Sequence, residues 1–352
     1  MYKNMKTIFL TPVSTRPQKL IILFVAILFI FMKKQYPLDW ELNTVGFWSN
    51  FPNTYQNPNF VYPPWGLILM LPYKWMQPEG AKFFSVLVIG AMVVRNKGSL
   101  STFFAIVLSP YFIGTMGKCA MDILVLVFPI YLWEISTGRR WQTPARGLAI
   151  SLTLIKPQAA LFVWLYYFWK ERHNWKSLLC PLGIVALITI PISLVGSPPL
   201  VLQWIENLRN PSPDNLYYWS INNFSLTSKY TLFGSIGILL IVGAGLYYMS
   251  RRKVITWTED LTKASLLYAS MAVSPYTSQQ SLSSSLAFIP SWFLVFIQVI
   301  QYYLIINVST YRTYLPLEIL VMALLAIVYY GVKTRKRVQR TNEDDTNDNL
   351  LN

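Results

Sequence analysis

The sequence predicts an all-α fold, a polytopic integral membrane bundle of about nine to twelve transmembrane or re-entrant helices. Three observations predict it. Of 352 residues, 54% are hydrophobic and 16% aromatic while only 13% are charged, against roughly 25% charged in a soluble domain. The apolar residues fall in runs of near-spanning length. The basic residues behind the net charge of +15 sit in short clusters between those runs, the pattern of cytoplasmic loops. Clusters spread in this way make no continuous basic face, so nucleic acid is not an expected partner.

Each element can be justified in order. The N-terminus bears Lys3, Lys6, Arg16 and Lys19 and reads as cytoplasmic. The first apolar run, Lys19 to Phe31, has the basic front of a signal peptide. No small-residue cleavage site follows it and Lys33-Lys34 comes next, so it reads as an uncleaved span. Loop 35–61 is then extracytoplasmic. Trp65 to Met76 is too short to cross and reads as a partial or re-entrant segment. A second short helix, Ala81 to Val94, reaches Arg95 and Lys97. Leu100 to Ile113 runs outward, and Ala120 to Ile135 returns to Arg139, Arg140 and Arg146.

The next segment, RGLAISLTLIKPQAALFVWLYYFWKER, is basic at both ends with Lys156-Pro157 in its middle. Proline disrupts a helix interior and biases the residue before it away from helix. Two half-length helices meeting at Lys156 satisfy both ends, and broken backbone at membrane depth requires protein or a water-filled cavity around it. Leu178 to Val195 crosses outward to a second external loop, 197–230. Tyr230 to Met249 returns to Arg251, Arg252 and Lys253, and Leu261 to Ser274 leads out to the polar SPYTSQQSLSSS. If 286–307 and 314–332 each cross once, the basic tail Lys333 to Arg340 falls outside, against the charge rule. Two short crossings broken at Pro290 repair this, and so does an error upstream. Residues 1–340 read as one membrane domain, and 341–352, TNEDDTNDNLLN, as a disordered polar tail.

The chemistry concentrates in Gln35 to Tyr73, QYPLDWELNTVGFWSNFPNTYQNPNFVYPPWGLILMLPY, which holds no Lys or Arg. Asp39 lies between Tyr36-Pro37-Leu38 and Trp40. Partial desolvation in aromatic surroundings moves a carboxylate toward the range useful for a general base. Glu41, close by, is a candidate substrate contact or a plain solvated side chain. Tyr62-Pro63-Pro64 is a rigid wall bearing a phenol, or a helix start that suits proline. Lys156 in an apolar run costs about 2.5–3.5 kcal/mol on insertion scales, so a cavity and a phosphate partner are expected of it. Lys118 and Asp122 are spaced as an i,i+4 ion pair on one helix start. Asn222, Asn223, Ser274, Tyr276 and Gln279 are neutral hydrogen-bonding residues suited to sugar hydroxyls, or to satisfying loop backbone. With the single His173 in a basic loop, no His-based metal site or triad is expected, and Cys119 and Cys180, in or beside apolar segments, say nothing of compartment or disulfide.

Taken in order, these pieces resemble the family 87 membrane glycosyltransferases of the GT-C class. The carriers are Asp39 in an acidic first loop, then FVYPPWGLILMLPY, GKCAMDILVLVFPIYLW, the basic turn GRRWQTPARG, the Lys156-Pro157 hairpin and SPYTSQQS. The likeness spans residues 20–300. It departs where Gly117-Lys118 replaces the usual Gly-Gln and where no histidine accompanies the late Ser-Pro patch. The resemblance implies a multi-pass cell-membrane enzyme of the cell envelope, with an extracytoplasmic active site. It would transfer a hexose, often mannose, from a polyprenyl-phosphate donor to a glycolipid, glycan or protein acceptor, with Asp39 as base. It implies no metal and no cofactor beyond the lipid-linked donor. A sugar-lipid transporter or flippase is the alternative, since broken helices and an intramembrane lysine also mark transporters. A catalytically silent membrane assembly protein is another.

Overall fold

The computed structural model describes residues 8–34, 40–41, 45–56, 62–209, 230–273, 281–307 and 324–335. The described residues are helical apart from turns and one isolated bridge between Pro12 and Ser99. Besides short helical turns such as Gly46–Ser49, the helices are α1 Arg16–Ile30, α2 Gly66–Arg95, α3 Leu100–Val107, α4 Pro110–Gly117, α5 Phe128–Ser136, α6 Gln142–Thr153, α7 Pro157–Lys170 and α8 Lys176–Ser193. There follow α9 Leu200–Arg209, α10 Tyr230–Arg251, α11 Glu259–Val273, α12 Leu282–Leu286 and α13 Trp292–Asn307, then α14 over 324–335.

Local chemistry accounts for the boundaries. Thr15 starts α1, with the Gln18 side chain accepting from the Thr15 amide at 3.1 Å in the manner of a capping box. Ser99 and Ser109 cap α3 and α4 by accepting the Thr102 and Phe112 amides. Pro110 and Pro157 occupy first turns, where the missing N–H is harmless. The two short segments expected over 65–94 form one helical stretch, broken at Gln77 (φ 59, ψ 167) just before Pro78, whose ring excludes a regular helix there. By length and composition Ile68–Arg95 alone reaches a membrane-crossing span among the described residues, with a second if α3 and α4, bent by 59°, are counted together.

One contiguous apolar core joins α1 to α8 and α10 to α14. The main packed pairs are α6 with α8, α7 with α11, α1 with α2, and α5 with α6. Gly90 lets α1 and α2 approach so closely that a Cβ there would lie 2.4 Å from Ile22 Cγ2. Gly147 does the same for α6 against Ile184 of α8.

The basic turns gather at one end. Glu134 of α5 receives Arg95 NH1 at 2.9 Å, the Tyr167 hydroxyl at 3.2 Å and Lys263 Nζ, tying α2, α5, α7 and α11 together. Arg146 pairs with Glu171 at 2.9 Å and Lys170 with Glu259 at 2.8 Å. The Thr256 amide, just past the Arg251–Lys253 turn, donates to Gly331 O of α14 at 3.2 Å.

The same end settles the path of the C-terminal part. Ala287, Phe288 and Pro290 line one cavity with Lys97 and Lys333. Trp292 Nε1 donates to Ser101 Oγ at 2.9 Å, and Phe293 stacks on Tyr329 with ring centroids 4.7 Å apart. The chain therefore turns at the basic end around Pro290, leaves along α13 and returns along α14, so Lys333 joins the other basic residues.

At the other end Tyr55 and Leu200 are buried together with Trp48, Tyr62, Ile192, Val195 and Trp204 packed around them. The stretch 45–62 and the residues around the start of α9 thus share one aromatic cap.

Candidate functional site

Three helix starts converge inside the bundle. A π-helical turn, Ile123–Val127, begins at Asp122 and leads into α5; Lys156 precedes α7; Ser281 precedes α12. Lys156 Nζ donates to both Asp122 oxygens at 3.1 Å. Ser281 Oγ donates to Asp122 Oδ1 at 2.5 Å. Asp122 is 0% and Lys156 9% exposed. Each helix N-terminus carries partial positive charge, so Asp122 is the negative centre of an otherwise positive setting. The Lys156 ammonium also lies 5.8 Å over the Tyr62 ring.

Geometry places this cluster deep in the protein. The 12 residues of α6 and 14 of α7 rise about 18 and 21 Å at 1.5 Å per residue. Their feet are joined at the basic end by Arg146–Glu171. Lys156 is the apex of a splayed hairpin, with α6 ending at Thr153 and Pro157 opening α7.

Aromatic side chains of the cation-free stretch close the break. Trp65 Nε1 donates to Leu154 O at 2.9 Å, meeting a carbonyl that the end of α6 leaves without a helical partner. The Trp65 ring meets Trp204 edge-on at 5.5 Å. The Tyr55 hydroxyl donates to Tyr62 O at 2.6 Å. The Tyr73 hydroxyl donates to Cys119 O, and Trp40 Nε1 donates to Tyr73 O at 3.3 Å. These contacts satisfy buried polar groups around the site, which low dielectric makes costly to leave unpaired.

Two expectations need correction. Asp122 does not pair with Lys118. The helix before Lys118 ends at Gly117, Cys119 takes φ 53, and helix resumes only at Asp122, so the i,i+4 geometry is absent. Lys118 is half-buried, with no ion pair among the described residues. Lys156, in turn, is no free cation facing a cavity, because its charge is engaged by Asp122. Glu41 is exposed and takes no part in the cluster. Tyr62 does take part.

Asp39, Asn222, Asn223, Ser274, Tyr276 and Gln279 lie outside the described residues. Trp40, next to Asp39 in sequence, is buried and anchored to Tyr73. Ser281, the residue after the Ser274–Gln280 patch, was not singled out from the sequence; the signal was a polar run that continues through Ser283, Ser284 and Ser285, all fully buried. Among the described residues no group of three or more His, Cys, Asp or Glu could hold a metal ion. No protein-family model, curated protein or solved structure matches this chain.

Proposed function

We propose that the chain is a polytopic membrane glycosyltransferase that moves a hexose from a polyprenyl-phosphate donor to an acceptor at the extracytoplasmic face, with Asp39 as general base. The observation that carries this reading is the convergence of three helix starts on the buried Lys156–Asp122 pair, beneath the aromatic end and away from the basic end. Helix N-termini and a lysine form a setting in which a lipid phosphate can be met by the protein alone, once Asp122 shares Lys156 with it. The membrane part is supported by apolar residues turned outward at helical spacing. Examples are Leu20, Phe24, Ile27 and Leu28 on α1, Leu161, Leu165 and Trp169 on α7, and Phe296, Val299 and Ile300 on α13. Exposed apolar stripes on so many helices mark a surface that faces something other than water.

Two measurements test it. Cysteine substitutions at Asn53 and Asn215, read by an impermeant thiol reagent on intact cells, should label from outside, while one at Lys253 should label only after permeabilisation. Protection of both asparagine positions overturns the sidedness. In isolated membranes, polyprenyl-phosphate sugar should be consumed with product formed in proportion to this chain. Sugar-lipid that changes leaflet without transfer of its sugar would favour the transporter reading.

A further inference from the structure

The described residues contain a polar cavity at the basic end, separate from the Asp122 cluster. Its volume is about 330 Å³. Met92, Val93, Ala287 and Phe288 form an apolar wall, and Asn96, Lys97, Ser99, Thr102, Lys333 and Thr334 supply polar groups. Lys97 and Lys333 come from α2's end and from α14, more than two hundred residues apart in sequence, yet both face this space. Both are exposed, and neither has an ionic partner among the described residues. The one carboxylate on the lining, Asp260, is engaged by Lys263 at 2.9 Å, so the cavity is left with a positive excess.

The turn that presents Lys97 is held firmly. Lys97 has φ 52, a left-handed conformation that non-glycine residues enter only at a cost. It is fixed by the Gly98 amide donating to Val93 O at 2.8 Å and by the Val13 amide donating to Gly98 O at 2.8 Å. The N-terminal segment thus serves as a strap that makes Leu10 and Pro12 part of the wall.

We propose that this cavity binds the phosphodiester headgroup of an anionic membrane phospholipid at the cytoplasmic face. Two lysines from separate helices complement the phosphate charge, and Asn96 with the Ser99 and Thr102 hydroxyls suits its oxygens and glycerol. The apolar wall of Met92, Val93 and Phe288 meets the start of the acyl chains, which a soluble phosphate compound would not use. Basic pockets between helices on this face are the recognised setting for such headgroups. The inference rests on the membrane reading of the chain but not on the transfer chemistry.

The test is native mass spectrometry of the full chain released from micelles containing phosphatidylglycerol, phosphatidylcholine or inorganic phosphate. Phosphatidylglycerol should be retained in preference to phosphatidylcholine. Lys97→Gln/Lys333→Gln should lower that retention about tenfold or more, as expected when two lysines face one phosphate near the membrane surface. Lys253→Gln, an exposed change at the same end but off the cavity lining, should leave it unaltered. Undiminished retention in the double variant, or an equal loss in Lys253→Gln, overturns the cavity assignment. Displacement of phosphatidylglycerol by inorganic phosphate overturns the lipid assignment in favour of a soluble phosphate compound. Release of the chain from membranes by alkaline carbonate would overturn the membrane reading and this proposal together, whereas loss of headgroup preference alone leaves the glycosyltransferase reading standing.

Discussion

Lys156→Met is expected to destabilise the protein by about 3–5 kcal/mol, the range for breaking a buried ion pair by removing one partner. Asp122 would be left at 0% exposure with only the Ser281 hydroxyl still donating among the contacts described. Against a total stability of roughly 5–15 kcal/mol, a loss of that size shows as a large fall in the thermal unfolding midpoint of detergent-purified protein. Asp122→Leu/Lys156→Met removes both charges, and replacing a buried pair by apolar residues is often neutral or better. The double variant should recover most of the midpoint. A Lys156→Met protein as stable as the parent would show that the pair is not formed.

This design also separates stability from donor recognition. If Lys156 shares its charge with a lipid phosphate, the double variant will fold yet lose apparent donor affinity. If the pair only closes the helix break, the double variant will keep both.

The fold was largely legible because its signals are local. A lysine in an apolar run, followed by proline, announces a break, and α6 and α7 do end and begin there. Basic turns announce a common end, and Arg95, Arg146, Lys170 and Lys263 meet their carboxylates at it. The site was only half legible because its partners are remote. Asp122 is 34 residues from Lys156 and 159 from Ser281, and no single-sequence pattern reports such a separation. The spacing of Lys118 and Asp122 suggests a pair only if helix continues through Cys119, a residue whose type does not advertise a positive φ. Trp65 reads only as the start of a short segment, and its bond to Leu154 O depends on where α6 ends. A turn at Pro290 is one of two options that the sequence leaves open, and the contact of Trp292 with Ser101 that accompanies it is too remote in sequence to be read there.

Asp39→Asn should lower sugar transfer by about 10²–10⁴, the range for loss of a general base, while expression, folding and donor binding persist. The substitution keeps the side chain's size and hydrogen-bonding shape but removes its ability to take the acceptor's proton. It also removes the negative charge that would stabilise an anomeric carbon as it parts from phosphate. Two features make the result informative. The stretch from Gln35 to Tyr73 contains no Lys or Arg, so the change breaks no ion pair within that stretch. The next residue, Trp40, is held by Tyr73, whose hydroxyl bonds Cys119 O three residues before Asp122, so Trp40 has an anchor of its own. Glu41→Gln serves as the matched comparison: Glu41 is exposed, and its loss should change transfer far less. Near-normal transfer by Asp39→Asn, or an equal loss in Glu41→Gln, would remove Asp39 from the role of base.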